Sequence, residues 1–168
     1  HAAKCIREGA EKIVLDTHAA LNPDLISQCA QIFGSQSVVV SINVKKDFFG
    51  KYCAYYLNGK NKIKLPLKDW VLVVEEKGAG EIIINDIRND GVMKGYDLDL
   101  IKHITNLVNI PVVACGGAGN VEDMNFASQS GAHAAASGSV FIYQGERKAV
   151  LINYPNKMEL KEKFNEKI

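Results

Sequence analysis

The stretch Ile110-Pro111-Val112-Val113-Ala114-Cys115-Gly116-Gly117-Ala118-Gly119-Asn120 decides the fold of this chain. Its apolar run shows no alternation with polar residues, as expected for a strand that is covered on both faces in a parallel sheet. Three glycines come after the run, and a helix-like stretch begins at Val121. This arrangement leaves backbone N–H groups uncovered before a helix, which favours binding of an anion such as phosphate. The glycines are equally consistent with a tight turn alone, so both interpretations are open.

Length and charge limit the classes of partner. The 168 residues are sufficient for one domain with a hydrophobic core. The 20 lysines and arginines nearly balance the 19 aspartates and glutamates, which favours neither nucleic acid nor a membrane as a partner. No apolar run approaches the roughly 18 residues of a membrane span, and the sequence predicts no signal peptide. We therefore expect a cytoplasmic protein.

The cysteines and histidines are scattered along the chain. The four cysteines form no Cys-x-x-Cys pair, and the four histidines share no metal-ligand spacing with them. The spacing rules predict reduced thiols and no protein-bound metal. No cofactor is expected either.

Strand-like and helix-like segments alternate along the sequence. Strands are predicted at residues 12–15, 37–43, 81–85, 112–114 and 133–136. Helices are predicted at residues 2–9, 22–33, 67–77, 97–108, 121–128 and 158–164. This alternation predicts βα units and a parallel sheet. Polar residues and glycines come after the strands, at the end that forms the catalytic face of a (β/α) barrel or the ligand crevice of an open sheet.

Residues 45–64 interrupt this alternation. Phe48, Phe49 and three tyrosines surround Gly50 and lead to Asn58-Gly59, a dipeptide that is typical of hairpin turns. We predict a β-hairpin inserted at the end of the preceding strand. Its aromatic side chains either pack within the hairpin, which we favour, or bind a ligand or partner.

Residues 9–17 resemble residues 131–139. In both segments a Gly-Ala pair leads into a small apolar strand, and a hydroxyl residue, Thr17 or Ser139, lies eight positions after the glycine. Equivalent hydroxyl groups at equivalent strand ends suggest two anion sites. Two such sites suit a substrate with a phosphate group at each end.

Four motifs together point to a family. They are Phe33-Gly34-Ser35-Gln36, Gly78-Ala79-Gly80-Glu81-Ile82, Asp90-Gly91 with Gly95-Tyr96-Asp97, and Gly116-Gly117-Ala118-Gly119. In their order and spacing the chain resembles the cyclase subunit of imidazole glycerol phosphate synthase, the HisF family. The resemblance implies an α/β fold of the TIM (β/α)8 barrel class, of about 250 residues. Residues 1–168 would then form a single, N-terminally incomplete barrel domain with about strands 4–8, and its open edges predict self-association or a longer protein.

The resemblance implies an ammonia-using synthase. The family builds an imidazole ring from a ribulosyl nucleotide and ammonia, which a glutaminase (HisH-like) partner supplies through the barrel. Two aspartates act as acid and base; one belongs to the first strand, which this chain would lack, and the other corresponds to Asn43. An amide has no proton equilibrium near neutral pH and cannot be a general base. We therefore expect negligible cyclase turnover, and a rise of about 10²–10⁴ in the rate on Asn43→Asp.

Other family positions match this chain. The phosphate-binding positions that the resemblance implies are Thr17 on one side and, on the other, Asp90, Gly91, Gly116, Gly117, Gly138 and Ser139. Lys12 and Glu81 match two of the four charged residues that gate the ammonia entrance at the other end of the barrel. The implied substrate is a phosphorylated small molecule.

The C-terminal stretch at residues 145–155 departs from the histidine-pathway enzymes. It resembles a paralogous branch that is associated with amidation of sugars for bacterial surface polysaccharides such as lipopolysaccharide. We favour this branch over the histidine-pathway cyclase. Two alternatives are also open: a catalytically inactive phosphosugar-binding fragment, which Asn43 favours, and an unrelated phosphate-binding barrel enzyme such as an isomerase.

Overall fold

The structure, a computed structural model, describes residues 1–144 and 149–164. The strands are β1 (Ile13–Leu15), β2 (Val38–Lys46), β3 (Tyr52–Tyr56), β4 (Asn61–Lys62), β5 (Glu81–Asp86), β6 (Val112–Cys115), β7 (Ala134–Ala136), β8 (Tyr143–Gln144) and β9 (Ala149–Val150). The helices are α1 (Ala2–Arg7), α2 (Thr17–Leu21), α3 (Asp24–Phe33), α4 (Leu67–Glu76), α5 (Leu98–Thr105), α6 (Val121–Gln129), α7 (Ser139–Ile142) and α8 (Lys157–Lys163), with a 3-10 turn at Ser35–Ser37. Within these residues, none of the helices has the length and apolar character needed to cross a membrane.

Five parallel strands and one hairpin form the main sheet. The parallel strands lie in the order β1-β2-β5-β6-β7, and β3 and β4 add to β2 in antiparallel orientation. The start of β2 pairs with β1 and its end pairs with β3 along the same edge, while β5 occupies the other edge. The hairpin therefore stands directly beyond the C-terminal end of β1. The parallel α/β sheet that the sequence predicts is confirmed, and within the described residues it does not close into a barrel.

The main core lies between the sheet and the helices α3, α4 and α5. On the helix-facing side of the sheet, alternate residues of β2 and β5 are almost fully buried, namely Val38, Val40, Ile42, Val44, Ile82 and Ile84. The helices contribute the buried side chains of Ile26, Trp70, Val74 and Ile104. Burial of one such side chain stabilises the fold by about 1.5–3 kcal/mol. This core holds the strand ends, and with them the candidate site, in a fixed register.

The opposite face of the sheet is less covered and carries polar residues. Val14 on this face is 57% exposed. The parallel register places Asn43 of β2 beside Asn85 of β5, and Asn85 beside Cys115 of β6. In a TIM barrel this face lines the interior, and active sites form at its C-terminal end.

The packing interpretation of the hairpin aromatics holds only in part for Phe48 and Phe49, whose rings pack edge-to-face with centroids 5.6 Å apart but are not buried. Both lie in the turn between β2 and β3 and are 97% and 90% exposed. Asp47 Oδ1 accepts hydrogen bonds from the backbone N–H groups of Phe49 and Lys51, each at 3.0 Å, and this tight turn directs the two rings outward. By contrast, Tyr52 is half-buried and packs against the core.

Candidate functional site

Three polar side chains form a hydrogen-bonded row across the C-terminal ends of β1, β2 and β5. Asn43 Nδ2 donates to the two carboxylate oxygens of Asp16, at 3.2 Å and 3.1 Å. Asn85 Nδ2 donates to Asn43 Oδ1 at 3.1 Å. The structure thus brings one carboxylate and two amides together on the open face of the sheet, and we call Asp16, Asn43 and Asn85 the polar row.

Asn43, the predicted catalytic position, lies at the centre of the polar row. It is only 5% exposed, and its amide is bonded on both sides. A buried polar group is costly unless it is hydrogen-bonded, so these two contacts account for the burial of an amide here. Its bonds go to neighbouring side chains rather than to the backbone of its own strand end. Asn43 therefore holds Asp16 and Asn85 in place.

Asn85 ends the polar row with a buried acceptor. Its Oδ1 is inaccessible to solvent and has no hydrogen-bond donor among the described residues. This oxygen lies beside Gly116, where an added Cβ would come within 2.9 Å of it. A buried acceptor without a donor is uncommon.

Asp16 is the site residue that sequence reasoning missed. Its position directly after a predicted strand, next to Thr17, was the available signal. The sequence alone could not predict that Asp16 contacts Asn43, because this contact depends on the register between β1 and β2. Residues 27 positions apart in sequence meet here only through that pairing.

The glycine loop after β6 is shaped by backbone contacts. Gly116 and Gly117 have φ of +86° and +121°, values that favour glycine. A Cβ on Gly117 would lie 2.2 Å from the carbonyl O of Gly95, and the Gly95 N–H donates to the Gly117 carbonyl at 2.9 Å. The tight-turn interpretation is thus correct for these glycines. The N–H groups of Gly117 and Ala118 donate to no acceptor among the described residues, which is compatible with anion binding as well.

Other predicted phosphate positions surround this loop. Asp90 and Gly91 lie exposed in the loop between β5 and α5, and Gly138 and Ser139 begin α7 after the neighbouring strand β7. Burial raises the pKa of the Cys115 thiol, and the charge of Asp90 adds to this rise. No hydrogen bond joins Gly138 or Ser139 to the glycine loop in the described part of the chain.

Thr17 lies on the other side of the polar row. It is the first residue of α2, and its Oγ1 accepts a hydrogen bond from the backbone N–H of Leu57 at 3.2 Å. The hairpin therefore covers the end of β1 and fixes the Thr17 hydroxyl. Thr17 and Ser139 follow β1 and β7, the first and last parallel strands of the sheet.

Lys12 and Glu81, the predicted gate residues, form an ion pair at the opposite end of the sheet. Lys12 immediately precedes β1 and Glu81 is the first residue of β5, so both lie at the N-terminal strand ends. The Lys12 side chain is 49% exposed and that of Glu81 is 19% exposed. The pair is therefore accessible from outside at the end of the sheet away from the polar row.

A second charged cluster attaches the hairpin to α5. Tyr52 Oη donates to Asp97 Oδ1 at 2.8 Å, and Lys46 Nζ lies 3.0 Å from Asp97 Oδ2. Burial opposes ionisation of Asp97, but hydrogen bonds from the Leu100 N–H, Lys46 and Tyr52 outweigh it and lower the pKa of the carboxyl. Hydrogen bonding to Tyr52 and to Asp97 raises the pKa of Lys46. Beside this cluster is a cleft of about 430 Å³ that Arg88 also lines.

Fold and site together define a class of protein. The chain is an α/β protein of the TIM-barrel class whose polar residues gather at the C-terminal ends of parallel strands. A family model described as "Histidine biosynthesis protein" matches residues 1–148, and the chain belongs to this family. This match and the named relatives described next together confirm the resemblance to HisF proteins.

Individual relatives of the chain are named as subunits of imidazole glycerol phosphate synthase. The chain is 41% identical over 163 residues to "Putative imidazole glycerol phosphate synthase subunit hisF2" of Pseudomonas aeruginosa, a match that covers 95% of this chain and 65% of the relative. It is 43% identical over 162 residues to "Putative imidazole glycerol phosphate synthase subunit hisF3" of Vibrio vulnificus. This match covers 95% of this chain and 62% of the relative. "Imidazole glycerol phosphate synthase subunit HisF" of Thermotoga sp. is 42% identical to this chain over 143 residues. This match covers 85% of this chain and 56% of the relative. The chain therefore spans less than two thirds of the length of these relatives.

Proposed function

We propose that this chain is the ammonia-using, HisF-like part of a glutamine-dependent amidotransferase complex and that it acts on a phosphorylated small molecule. The observation that carries the proposal is the polar row of Asp16, Asn43 and Asn85. It lies at the C-terminal ends of parallel strands, where TIM-barrel enzymes carry out their chemistry. The names of the matched relatives support the same assignment.

The positions of the candidate anion sites support a substrate with two phosphate groups. Thr17 follows β1, whereas the glycine loop and Ser139 follow β6 and β7. The polar row occupies the strand ends between them. A substrate held at both ends would therefore present its central atoms to Asn43 and Asn85.

We also propose a glutaminase subunit as the partner. The Lys12–Glu81 ion pair lies at the N-terminal strand ends, opposite the polar row. Ammonia that entered beside this pair would travel along the open face of the sheet towards the polar row. A glutaminase docked at this end would deliver ammonia to the face that lines the interior of a closed TIM barrel.

Within the family, we favour the branch that amidates sugars for bacterial surface polysaccharides. The support is the C-terminal stretch at residues 145–155, of which residues 145–148 lie outside the described residues. Two of the matched relatives carry the separate designations hisF2 and hisF3. The alternative is the histidine-pathway cyclase.

Nitrogen transfer from ammonium salt tests the proposal without a glutaminase. The natural full-length protein that carries this sequence is incubated with ¹⁵N-ammonium and either a ribulosyl nucleotide or candidate nucleotide sugars, and the products are analysed by mass spectrometry. We expect ¹⁵N incorporation, and faster incorporation into a sugar than into the ribulosyl compound. Binding of phosphosugars without incorporation into any substrate would instead support the inactive phosphosugar-binding protein, which the amide at Asn43 favours.

A further inference from the structure

We propose that Asp16 is the catalytic carboxylate of this site and that Asn43 positions it. The inference rests on the proposed function and adds the residue that moves the proton. Its basis is the contact of the Asp16 carboxylate with Asn43 Nδ2, at 3.1 Å and 3.2 Å, at the strand end where the family resemblance implies an aspartate. The acidic group is thus moved to the neighbouring strand rather than lost.

The local conformation of Asp16 supports this role. Asp16 directly precedes α2, at a position where an aspartate side chain commonly caps the helix and stabilises it by about 0.5–2 kcal/mol. It makes no such side-chain bond, although its backbone carbonyl accepts from the N–H groups of Ala19 and Ala20. The carboxylate turns instead towards Asn43 and is half-buried. The Asp16 carboxylate therefore bonds within the polar row and does not cap α2.

The orientation of both amides in the polar row fits Asp16 as a hydrogen-bond acceptor. A carboxylate only accepts hydrogen bonds, so Asn43 presents Nδ2 to Asp16 and Oδ1 to Asn85. Asn85 donates to Asn43 through its own Nδ2. Its buried Oδ1, which has no donor among the described residues, lies at the end of the polar row away from Asp16. The row thus offers a substrate a proton acceptor at its Asp16 end.

Asp16 is also close to a candidate anion position. Thr17 is the next residue, and the hairpin fixes its hydroxyl group through Leu57. A phosphate group held near Thr17 would bring the adjoining carbon atoms of the substrate towards the Asp16 carboxylate. Proximity of this kind is a large part of the effect of a general base.

The proposed step, written for a ketone such as that of the ribulosyl nucleotide, is the condensation of ammonia with a carbonyl carbon of the substrate. The nitrogen lone pair forms a C–N bond at the carbonyl carbon, and the C=O π electrons move to the oxygen. The Asp16 carboxylate accepts one proton from the nitrogen and passes it to this oxygen, and then transfers a second nitrogen proton in the same way. The oxygen leaves as water with the electron pair of the C–O bond, while the nitrogen lone pair forms the C=N bond. Ketone and ammonia thus give imine and water, and neither an oxidant nor a reductant is required.

This arrangement changes the expected effect of Asn43→Asp. Two carboxylates within about 3 Å of each other do not both ionise, because each raises the pKa of the other. In the Asn43→Asp single variant, the new aspartate would therefore share one proton with Asp16. The full benefit of a carboxylate at position 43 is expected only when Asp16 is replaced by asparagine, which exchanges the two side chains.

Four versions of the natural full-length protein test the assignment: the unsubstituted protein, Asp16→Asn, Asn43→Asp, and the double variant with both substitutions. Turnover is followed with ammonium salt as nitrogen donor, and thermal unfolding is measured in parallel. We expect Asp16→Asn to lower kcat by about 10²–10⁴ with little change in KM or in the unfolding midpoint. The double variant should recover kcat to within about tenfold, because it restores one carboxylate and one amide in contact. Asp99→Asn, an exposed aspartate in α5, is the matched control and should leave kcat unchanged.

The outcomes separate this assignment from the proposed function. If Asp16→Asn retains kcat, the assignment is wrong while the proposed function stands. If Asp16→Asn loses kcat together with its folded structure and the folded double variant fails to recover kcat, the role of Asp16 is structural and the assignment is again wrong. If the unsubstituted protein turns over neither class of substrate, both the proposed function and the assignment are overturned.

Discussion

Gly117 illustrates how a single residue can be fixed by two independent constraints. Its φ of +121° lies in a region that L side chains rarely adopt, and an added Cβ would lie 2.2 Å from the carbonyl O of Gly95. Neither constraint is relieved by a change of side-chain rotamer, because both involve backbone atoms. The loop after β6 is therefore rigidly seated on the loop between β5 and α5.

The first stability prediction concerns this loop. Gly117→Ala should lower the free energy of unfolding by about 1–3 kcal/mol, the usual cost of backbone strain at one residue. Gly138→Ala is the matched control, because its φ is −95° and an added Cβ there would meet no atom within 4 Å. The control should change the free energy by about 0.5 kcal/mol or less. Urea unfolding of both variants measures the difference, and equal losses would contradict this account of Gly117.

At the scale of elements, the hairpin is joined to the sheet and to α5 by different interactions. Its strand β3 continues the hydrogen-bonded ladder of β2, and the cluster of Lys46, Tyr52 and Asp97 attaches it to the first turn of α5. Asp97 has two functions there, because its Oδ1 also accepts from the Leu100 N–H as the N-cap of α5. A change in the charge of Asp97 therefore affects both elements.

The second stability prediction follows from the lowered pKa of Asp97. A carboxyl whose pKa is lower in the folded state contributes stability above its unfolded pKa of about 4, and this contribution is lost as the pH falls through the folded pKa. The loss of stability on Asp97→Asn should thus be larger near neutral pH than below about pH 3. Urea unfolding at the two pH values tests this, with the exposed Asp99→Asn in the same helix for comparison. A loss that is independent of pH would show that the charge of Asp97 does not stabilise the hairpin.

Periodicity predicted the long elements, and it failed where an element is short or a contact depends on register. The strands before Asn43 and the glycine loop were predicted from apolar runs, although β2 continues three residues further because β3 pairs with it. α2 was not predicted, since five residues are too few to show a helical period. The same limit applies to the site: the sequence indicated Asn43, but only the pairing of β1 with β2 brings Asp16 to it.

At the scale of the whole molecule, the two ends of the parallel sheet carry different groups. The C-terminal strand ends carry the polar row, with candidate anion positions on both sides, and the N-terminal ends carry the Lys12–Glu81 pair. The strand direction alone separates them, because all five strands run in parallel. Substrate and ammonia could thus approach from opposite ends without competing for one surface.

The open sheet leads to the last prediction, which concerns the 168-residue chain by itself. Val14 on the uncovered face is 57% exposed, and within the described residues β1 and β7 each pair with only one neighbour in the sheet. Unpaired strand edges and exposed apolar side chains favour association with a second copy. We therefore expect the isolated chain to sediment as a dimer or a larger species at micromolar concentration. Analytical ultracentrifugation over a range of concentrations measures this, with circular dichroism to confirm that the chain is folded. A folded monomer at every concentration would show that the open face and edges are stable in water.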